Sequence, residues 1–144
     1  MKVSAIISTY NAANLIRGCL EDLLNQTLYQ KGELEIIVID SGSFENEGEI
    51  VLKIQKGNPR IEYLRTEERE SIYQAWNRGI QMATGKYITN ANTDDRHEVH
   101  CLERLVDHLE EHPDDDIAYG NLFKSVIPNE TFEQNDRSRP CLAQ

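Results

Sequence analysis

The sequence predicts an α/β protein with a mostly parallel β-sheet that is covered by helices on both faces. Short apolar runs rich in β-branched residues alternate along the chain with segments whose apolar residues recur at helical spacing. This alternation is typical of parallel sheets, because parallel neighbours need a crossover connection. The length of 144 residues suits one domain with a substantial core.

Five segments have the composition of strands, and each is followed by polar or turn-forming residues. They are 3–7, 34–39, 60–64, 86–89 and 116–120. Three segments between them place apolar residues on one helical face, namely 15–24, 72–83 and 99–109. A weaker helix is predicted over 45–56, with Ser43 as its N-cap.

The last part of the sequence differs from the rest. Residues 128–144 have no apolar periodicity and are rich in Asn, Pro and charged side chains. We therefore expect the folded domain in residues 1–127. Residues 128–144 are interpreted as a tail or as the truncated start of a further part.

The charge of the chain excludes several classes of partner. Asp and Glu number 25 against 15 Lys and Arg, so the formal net charge of -10 repels nucleic acids. No apolar run reaches the roughly 20 residues of a membrane span, and the N-terminus lacks a signal-peptide pattern. Cys19, Cys101 and Cys141 form no close pair, so reduced thiols are expected. These features favour a cytoplasmic protein without a transmembrane segment.

The residues that follow the strands are the candidate site, because parallel α/β sheets bind ligands outside the carboxyl ends of their strands. The segment STYNAAN lacks the glycines of a phosphate loop and offers Ser8 and Tyr10 to a base or ribose. Asp40 follows the second strand, where it can accept a hydrogen bond from a base or a ribose. An alternative is that Asp40 only caps a turn before Ser43.

Asp94 and Asp95 place two carboxylates on the loop after the fourth strand. This arrangement is costly unless a cation or a proton neutralises one of them. If the ligand is a nucleoside diphosphate, a hard cation such as Mg²⁺ or Mn²⁺ can bridge carboxylate and phosphate oxygens. The alternative is that both acids lie at the N-terminus of a helix beginning near Glu98, where the helix dipole favours them by roughly 0.3–1 kcal/mol.

Four motifs in order resemble family 2 glycosyltransferases, the inverting nucleotide-sugar enzymes of the GT-A fold, which is Rossmann-like. They are VSAIISTYN, IIVIDSGS, SIYQAWNRGIQMATGKYI and NTDDR, and the resemblance covers residues 2–123. It implies hexosyl transfer from a UDP-, GDP- or dTDP-linked sugar to a carbohydrate or lipid-linked acceptor, with Mn or Mg as cofactor. By analogy it also implies polysaccharide biosynthesis, including a peripheral location at the inner face of the membrane.

The resemblance also implies roles for individual residues. The implied nucleotide contacts are Ser8, Tyr10, Asp40, Arg69 and Asp94. Asp94 would face the ribose or the sugar, and Asp95 would bind the metal. Arg69 would contact the diphosphate, although an arginine among glutamates is also typical of a solvated surface charge.

The chain departs from the family pattern at several places. Asn92 stands where many members have another Asp, Ser41 replaces a second acid, and Trp76 occupies a position that is often Arg and is expected to be a core ring. In the family the general base follows the metal motif. The acids of the last segment, residues 121–144, are Glu130, Glu133 and Asp136, and none of them matches the motif of that base. An alternative function is therefore a nucleotide-binding module without turnover.

Four potential metal ligands are predicted on one helix face, and they are His97, Cys101, His108 and His112. A rise of about 1.5 Å per residue separates Cys101 from His108 by roughly 10 Å, which is too far for one ion. A solvated helix face is the expectation. Cys19 lies in the apolar stripe of the first helix and is expected to be a buried thiol.

Overall fold

The computed structural model describes residues 1–137 and contains a parallel sheet of four strands. The strands are β1 (Val3–Thr9), β2 (Leu34–Asp40), β3 (Ile61–Arg65) and β4 (Tyr87–Asn90), in the spatial order β3-β2-β1-β4. The chain moves outward from β1 to β3 and then returns to β4 on the other side of β1. The strand order therefore reverses between β1 and β4, and such a switch point is where open α/β sheets bind ligands.

Helices cover both faces of the sheet, as predicted. Within residues 1–137 they are α1 (Ala13–Asn25), α2 (Thr27–Gln30), α3 (Glu47–Gln55), α4 (Ile72–Met82) and α5 (Cys101–Glu111). One core packs α1, α2, α3 and α5 on the sheet, whereas a smaller core on the opposite face packs α4 on β2. In this part of the chain no helix combines the length and the apolar character needed to cross a bilayer.

The start and the close packing of α4 follow from its sequence. Ser71 and Gln74 form a capping box, in which the Gln74 side chain accepts from the Ser71 N–H at 2.9 Å. A Cβ atom on Gly79 would lie 2.4 Å from Ile6 Cγ2, so only glycine lets α4 approach β1 this closely. The helix start is thereby fixed next to Arg69.

The loops after β1 and β2 are tied together, and this changes the predicted start of α3. Ser43 is not the N-cap of α3, because that helix begins at Glu47 with Asn46 as the capping position. Ser43 Oγ instead accepts from the Asn11 N–H at 3.1 Å. Glu47 is buried and accepts from the Ala12 N–H, where α1 begins without a cap of its own.

The predicted fifth strand is wrong. Residues 116–120 form no strand pairing in the described structure, and Ile117 and Tyr119 are 79% and 89% exposed. The segment has the apolar alternation of a strand, but it lies off the sheet and gains none of the hydrogen bonds that a neighbouring strand would supply. Exposed apolar side chains continue to Ile127, and we call residues 117–127 the apolar stretch.

Residues 128–137 fold back on the domain. The Asn129 carbonyl accepts from Arg96 at 2.8 Å, and its side-chain amide donates to the Asn14 carbonyl at 2.9 Å. Glu130 is buried. The domain boundary at 127 stays a prediction, and Cys141 lies outside the described residues.

Candidate functional site

A polar cleft of about 480 Å³ lies beside the carboxyl ends of β1 and β4. It is lined by Ser8, Tyr10, Ser41, Arg69, Glu70, Ile72, Asn92, Thr93 and Asp94. Four of the predicted site residues are therefore brought together in one cleft, although they come from three separate segments of the chain. Asp40 and Asp95 are not among the lining residues.

Arg69 supplies a positive charge to the cleft. Its guanidinium carbon lies 4.2 Å from the centroid of the Tyr10 ring, a cation–π contact worth about 0.5–1 kcal/mol at an exposed site. Phe44 packs edge-on against the same ring, with the centroids 6.4 Å apart. Among residues 1–137 no carboxylate forms an ion pair with Arg69, so its charge is available to a ligand.

Glu70 also lines the cleft, but its carboxylate is already bound. The Arg78 guanidinium donates to both Glu70 oxygens at 2.6–2.8 Å, and this bidentate contact lowers the pKa of Glu70. The negative charge of Glu70 is therefore compensated within the protein. Arg69, its neighbour, remains the uncompensated charge on this side of the cleft.

Asp40 is buried, with 1% of its surface exposed, and its carboxylate is fully engaged within the protein. One oxygen accepts from the Ser43 N–H at 2.9 Å, and the other accepts from the Tyr63 hydroxyl at 2.7 Å. Arg65 lies 3.6 Å from the second oxygen. Burial, together with the bond to Asp40, raises the pKa of Tyr63. This geometry is that of the turn cap considered as the alternative for Asp40.

Ser41 lines the cleft, although the sequence motifs indicated only that it replaces a second acid. Its hydroxyl is buried without a hydrogen-bond partner among the described residues, and it lines the cleft. Successive side chains of β2 point to opposite faces of the sheet, so Ser41 and Asp40 lie on different faces. Ile37 and Ile39 face α4, and Ser41 continues that face. Ile36 and Val38 face the opposite core, as Asp40 does.

The acidic loop leaves both carboxylates exposed at the end of β4. Asn92 donates from its amide to Asp95 at 2.9 Å, and no ion pair within residues 1–137 engages Asp94 or Asp95. The capping alternative is wrong, because α5 begins only at Cys101 with His100 as its capping position. The oxygen donors of Asn92, Thr93 and the two acids fit a hard cation such as Mg²⁺ or Mn²⁺.

A half-buried ion pair anchors the acidic loop to α1. The Arg96 guanidinium donates to both oxygens of Asp22 at 2.6 and 2.7 Å, and the His97 N–H donates to Asp22 at 2.9 Å. Burial lowers the pKa of His97. The sequence carried no signal for this pair, because its members are 74 positions apart and match no motif.

Several further predictions can be compared with the structure. Burial raises the pKa of Cys19 to about 12, so the expected buried thiol is confirmed. His97 precedes α5, so the predicted four-residue helix face is wrong. Trp76 is half-buried and packs edge-on against Tyr73. The three acids considered as candidates for the base, which are Glu130, Glu133 and Asp136, do not line the cleft.

A parallel α/β sheet with a polar cleft at its switch point and an adjacent acidic loop defines the class of domains that bind nucleotides at this position. Residues 4–140 match the family described as glycosyl transferase family 2, and the chain belongs to this family. The resemblance carried by the four sequence motifs is thereby confirmed.

Relatives of this chain are longer than it is. Glycosyltransferase GlyG of Streptococcus pneumoniae is 35% identical over 121 residues, which is 84% of this chain but 39% of GlyG. The crystal structure of S. aureus TarS 1-349 aligns with a TM-score of 0.72 and 24% identity, covering 78% of this chain and 33% of TarS. The mannosyltransferase PcManGT from Pyrobaculum calidifontis aligns with a TM-score of 0.69 and 27% identity, covering 75% of this chain and 32% of PcManGT. These likenesses confirm the GT-A fold.

Proposed function

We propose that this chain is the donor-binding part of a glycosyltransferase that moves a sugar from a nucleoside diphosphate to an acceptor hydroxyl, with inversion and with a divalent cation. The observation that carries this proposal is the cleft, which combines hydroxyls and an aromatic ring with an uncompensated arginine beside two unpaired carboxylates. Related solved structures support it, because TarS has been crystallised with UDP and with UDP-GlcNAc, and PcManGT with GDP-Man and Mn2+.

The lining residues suggest how a donor would be held. Tyr10 offers its ring to the base, and the hydroxyls of Ser8 and Ser41 can donate to it or accept from it. Arg69 would bind the diphosphate, since opposite charges at 4 Å attract by about 4 kcal/mol at an effective dielectric of 20. Asp94 would accept from hydroxyls of the ribose or the sugar. We propose that Asp40 acts from beneath the cleft, by holding the turn that presents Ser41.

The acidic loop would hold the cation. We assign Asp95 as the principal ligand, with Asp94 beside it, and Asn92 orients Asp95 through its amide. When bound, Mn²⁺ or Mg²⁺ would act as a Lewis acid and offset the negative charge on the departing diphosphate. Both carboxylates are exposed, so each can reach a ligand without breaking an ion pair.

A second candidate is a nucleotide-binding module without turnover. It is favoured by the side chains that line the cleft. Of the described acids that line the cleft, Glu70 is bound to Arg78 and Asp94 belongs to the acidic loop. No lining residue is therefore an obvious general base for an acceptor hydroxyl. The acceptor, the pathway and the cytoplasmic location remain expectations from the sequence.

Calorimetric titration with UDP, GDP and dTDP, each with and without Mn²⁺, tests the donor site. We expect one nucleotide to bind in a Mn²⁺-dependent manner, and Asp95→Asn to weaken that binding at least about 10-fold. Asp107→Asn is the matched control, because it removes the same charge from an exposed position on α5. Failure of all three nucleotides to bind would contradict the proposal.

Sugar transfer then separates the two candidates. If the isolated chain releases nucleoside diphosphate from a cognate sugar donor in the presence of Mn²⁺, and Asp95→Asn does not, the module without turnover is rejected. If nucleotide binding is intact and no donor is turned over with any acceptor mixture, the enzyme proposal for this chain is rejected instead.

A further inference from the structure

The C-terminal end of α5 carries a cluster of potential metal ligands that lies outside the cleft. His108 and His112 are four residues apart, about one helical turn, and Asp115 follows the end of the helix. One ligand atom from each of the three lies within 4.8 Å of the others. At 1.5 Å per residue along α5, Cys101 at the acidic-loop end of the helix is separated from His108 by about 10 Å and from His112 by about 16 Å.

A hydrogen bond determines which nitrogen of His112 can bind a metal. His112 Nδ1 lies 2.9 Å from the His108 carbonyl oxygen. A carbonyl can only accept, so Nδ1 carries the proton and Nε2 keeps its lone pair in the neutral ring. Metal-binding histidines commonly have this arrangement, in which one ring nitrogen donates to a carbonyl and the other binds the ion.

Asp115 is held next to the other histidine. Its Oδ2 lies 2.9 Å from His108 Nε2, and its N–H donates to the His112 carbonyl at 2.9 Å. A divalent cation would take the place of the proton between the carboxylate and the imidazole. The rings of His108 and His112 are stacked, with centroids 4.3 Å apart, so both imidazoles lie side by side.

The charge around the cluster favours a cation. The neighbouring acids are Glu110, Glu111, Asp114 and Asp116. Lys86 pairs with Glu110 at 2.9 Å, and no ion pair within residues 1–137 compensates the other three. Uncompensated negative charge at one surface raises the local concentration of cations.

We propose that His108, His112 and Asp115 form a Zn²⁺ site that joins the end of α5 to the turn that follows it. Two imidazoles and one carboxylate suit Zn²⁺, whereas the oxygen donors of the acidic loop suit Mg²⁺ or Mn²⁺. Zn²⁺ ligands at about 2.0–2.2 Å stand about 3.4 Å apart in a tetrahedron. The three exposed side chains close this difference by changing rotamers, and water fills the fourth position.

Calorimetric titration of ZnCl₂ into the tag-free protein tests this site, with nuclear magnetic resonance of the histidine rings as a second readout. We expect one Zn²⁺ per chain, loss of that binding in His108→Ala/His112→Ala, and at least about 10-fold weaker binding in Asp115→Asn. Among the 4 histidines of the chain, only the His108 and His112 ring signals should shift. His100→Ala, an exposed histidine about two helical turns before His108, is the matched control and should bind as the parent does.

Two outcomes would overturn the proposal. One is that Zn²⁺ does not bind the parent protein, and the other is that the double variant binds it unchanged. The substituted residues are exposed, so the double variant is expected to fold, and its far-ultraviolet circular dichroism checks this. Retention of Zn²⁺ binding in Asp94→Asn/Asp95→Asn separates this site from the acidic loop, and makes its test independent of the proposed transferase function.

Discussion

Asp40 and Ser41 are adjacent in sequence, but their side chains belong to opposite faces of β2. Alternation along a strand sends Asp40 toward the core of α1 and α3 and Ser41 toward the cleft beside α4. A carboxylate is a stronger hydrogen-bond acceptor than a hydroxyl, and the sequence analysis therefore assigned the nucleotide contact to Asp40. In the fold it is the Ser41 hydroxyl, and not the Asp40 carboxylate, that lines the cleft.

Substitution of each residue should separate these roles. We expect Ser41→Ala to weaken nucleotide binding about 3- to 10-fold, the equivalent of one hydrogen bond of about 0.5–1.5 kcal/mol, without lowering the melting temperature. Asp40→Asn should instead lower the free energy of unfolding by about 1.5–3 kcal/mol, because Tyr63 and Arg65 lose a charged partner. Calorimetry and urea unfolding measure the two effects.

The opposite result for the two variants would support the direct nucleotide contact that the sequence implied for Asp40. If Asp40→Asn weakened nucleotide binding with an unchanged unfolding midpoint, the carboxylate would have to reach the ligand directly. Unchanged affinity in Ser41→Ala would reject the contact from the Ser41 hydroxyl.

At the level of elements, the strands and helices that were predicted correctly are those whose signal is local. The periodicity of α1, α4 and α5 and the apolar runs of the four strands are properties of consecutive residues. The predictions of the start of α3 and of a fifth strand were wrong because each of these features depends on residues that are distant in sequence. Ser43 is engaged by Asn11, and residues 116–120 have no neighbouring strand in the described structure.

The same distinction applies to the site. The loops that line the cleft could be predicted, because each follows a strand and all parallel strands end at one edge. The contacts that hold these loops in place could not be predicted. Asp22 and Arg96 meet only when α1 packs beside the acidic loop, and nothing in a single sequence reports a contact between residues 74 positions apart.

The Asp22–Arg96 pair should therefore control the acidic loop from a distance. We expect Asp22→Asn to lower the free energy of unfolding by about 1.5–3 kcal/mol, because a half-buried guanidinium loses its charged acceptor. Mn²⁺-dependent nucleotide affinity should fall as well, since the His97 N–H also loses part of its anchor. Urea unfolding and calorimetry measure both quantities.

Glu21→Gln is the control for this substitution. Glu21 neighbours Asp22 on α1, is exposed, and has only a 4.0 Å contact with Arg17, so removing its charge should change neither quantity. If Asp22→Asn unfolded at the same urea concentration as the parent and bound nucleotide equally well, the anchoring role would be rejected.

At the scale of the molecule, residues 1–137 combine a well-packed sheet domain with the exposed apolar stretch and a segment, 128–137, that folds back on the domain. The core residues Leu20 and Ile36 are fully buried, whereas Ile117 and Tyr119 contribute almost their whole side chains to the surface. Exposed apolar groups add little to folding, because they are in contact with water before and after it. They do favour association, which the net charge of -10 opposes.

Ile117→Ser/Tyr119→Ser tests this division of the molecule. We expect its free energy of unfolding to stay within about 0.5 kcal/mol of the parent value, whereas Leu20→Ala should lose about 2–5 kcal/mol. Sedimentation at high salt, where charge repulsion is screened, should show less self-association in the double variant than in the parent. A destabilised double variant would mean that residues 117–127 pack against the domain in solution. If the parent protein stayed monomeric at high salt, the apolar stretch would be too small to drive association.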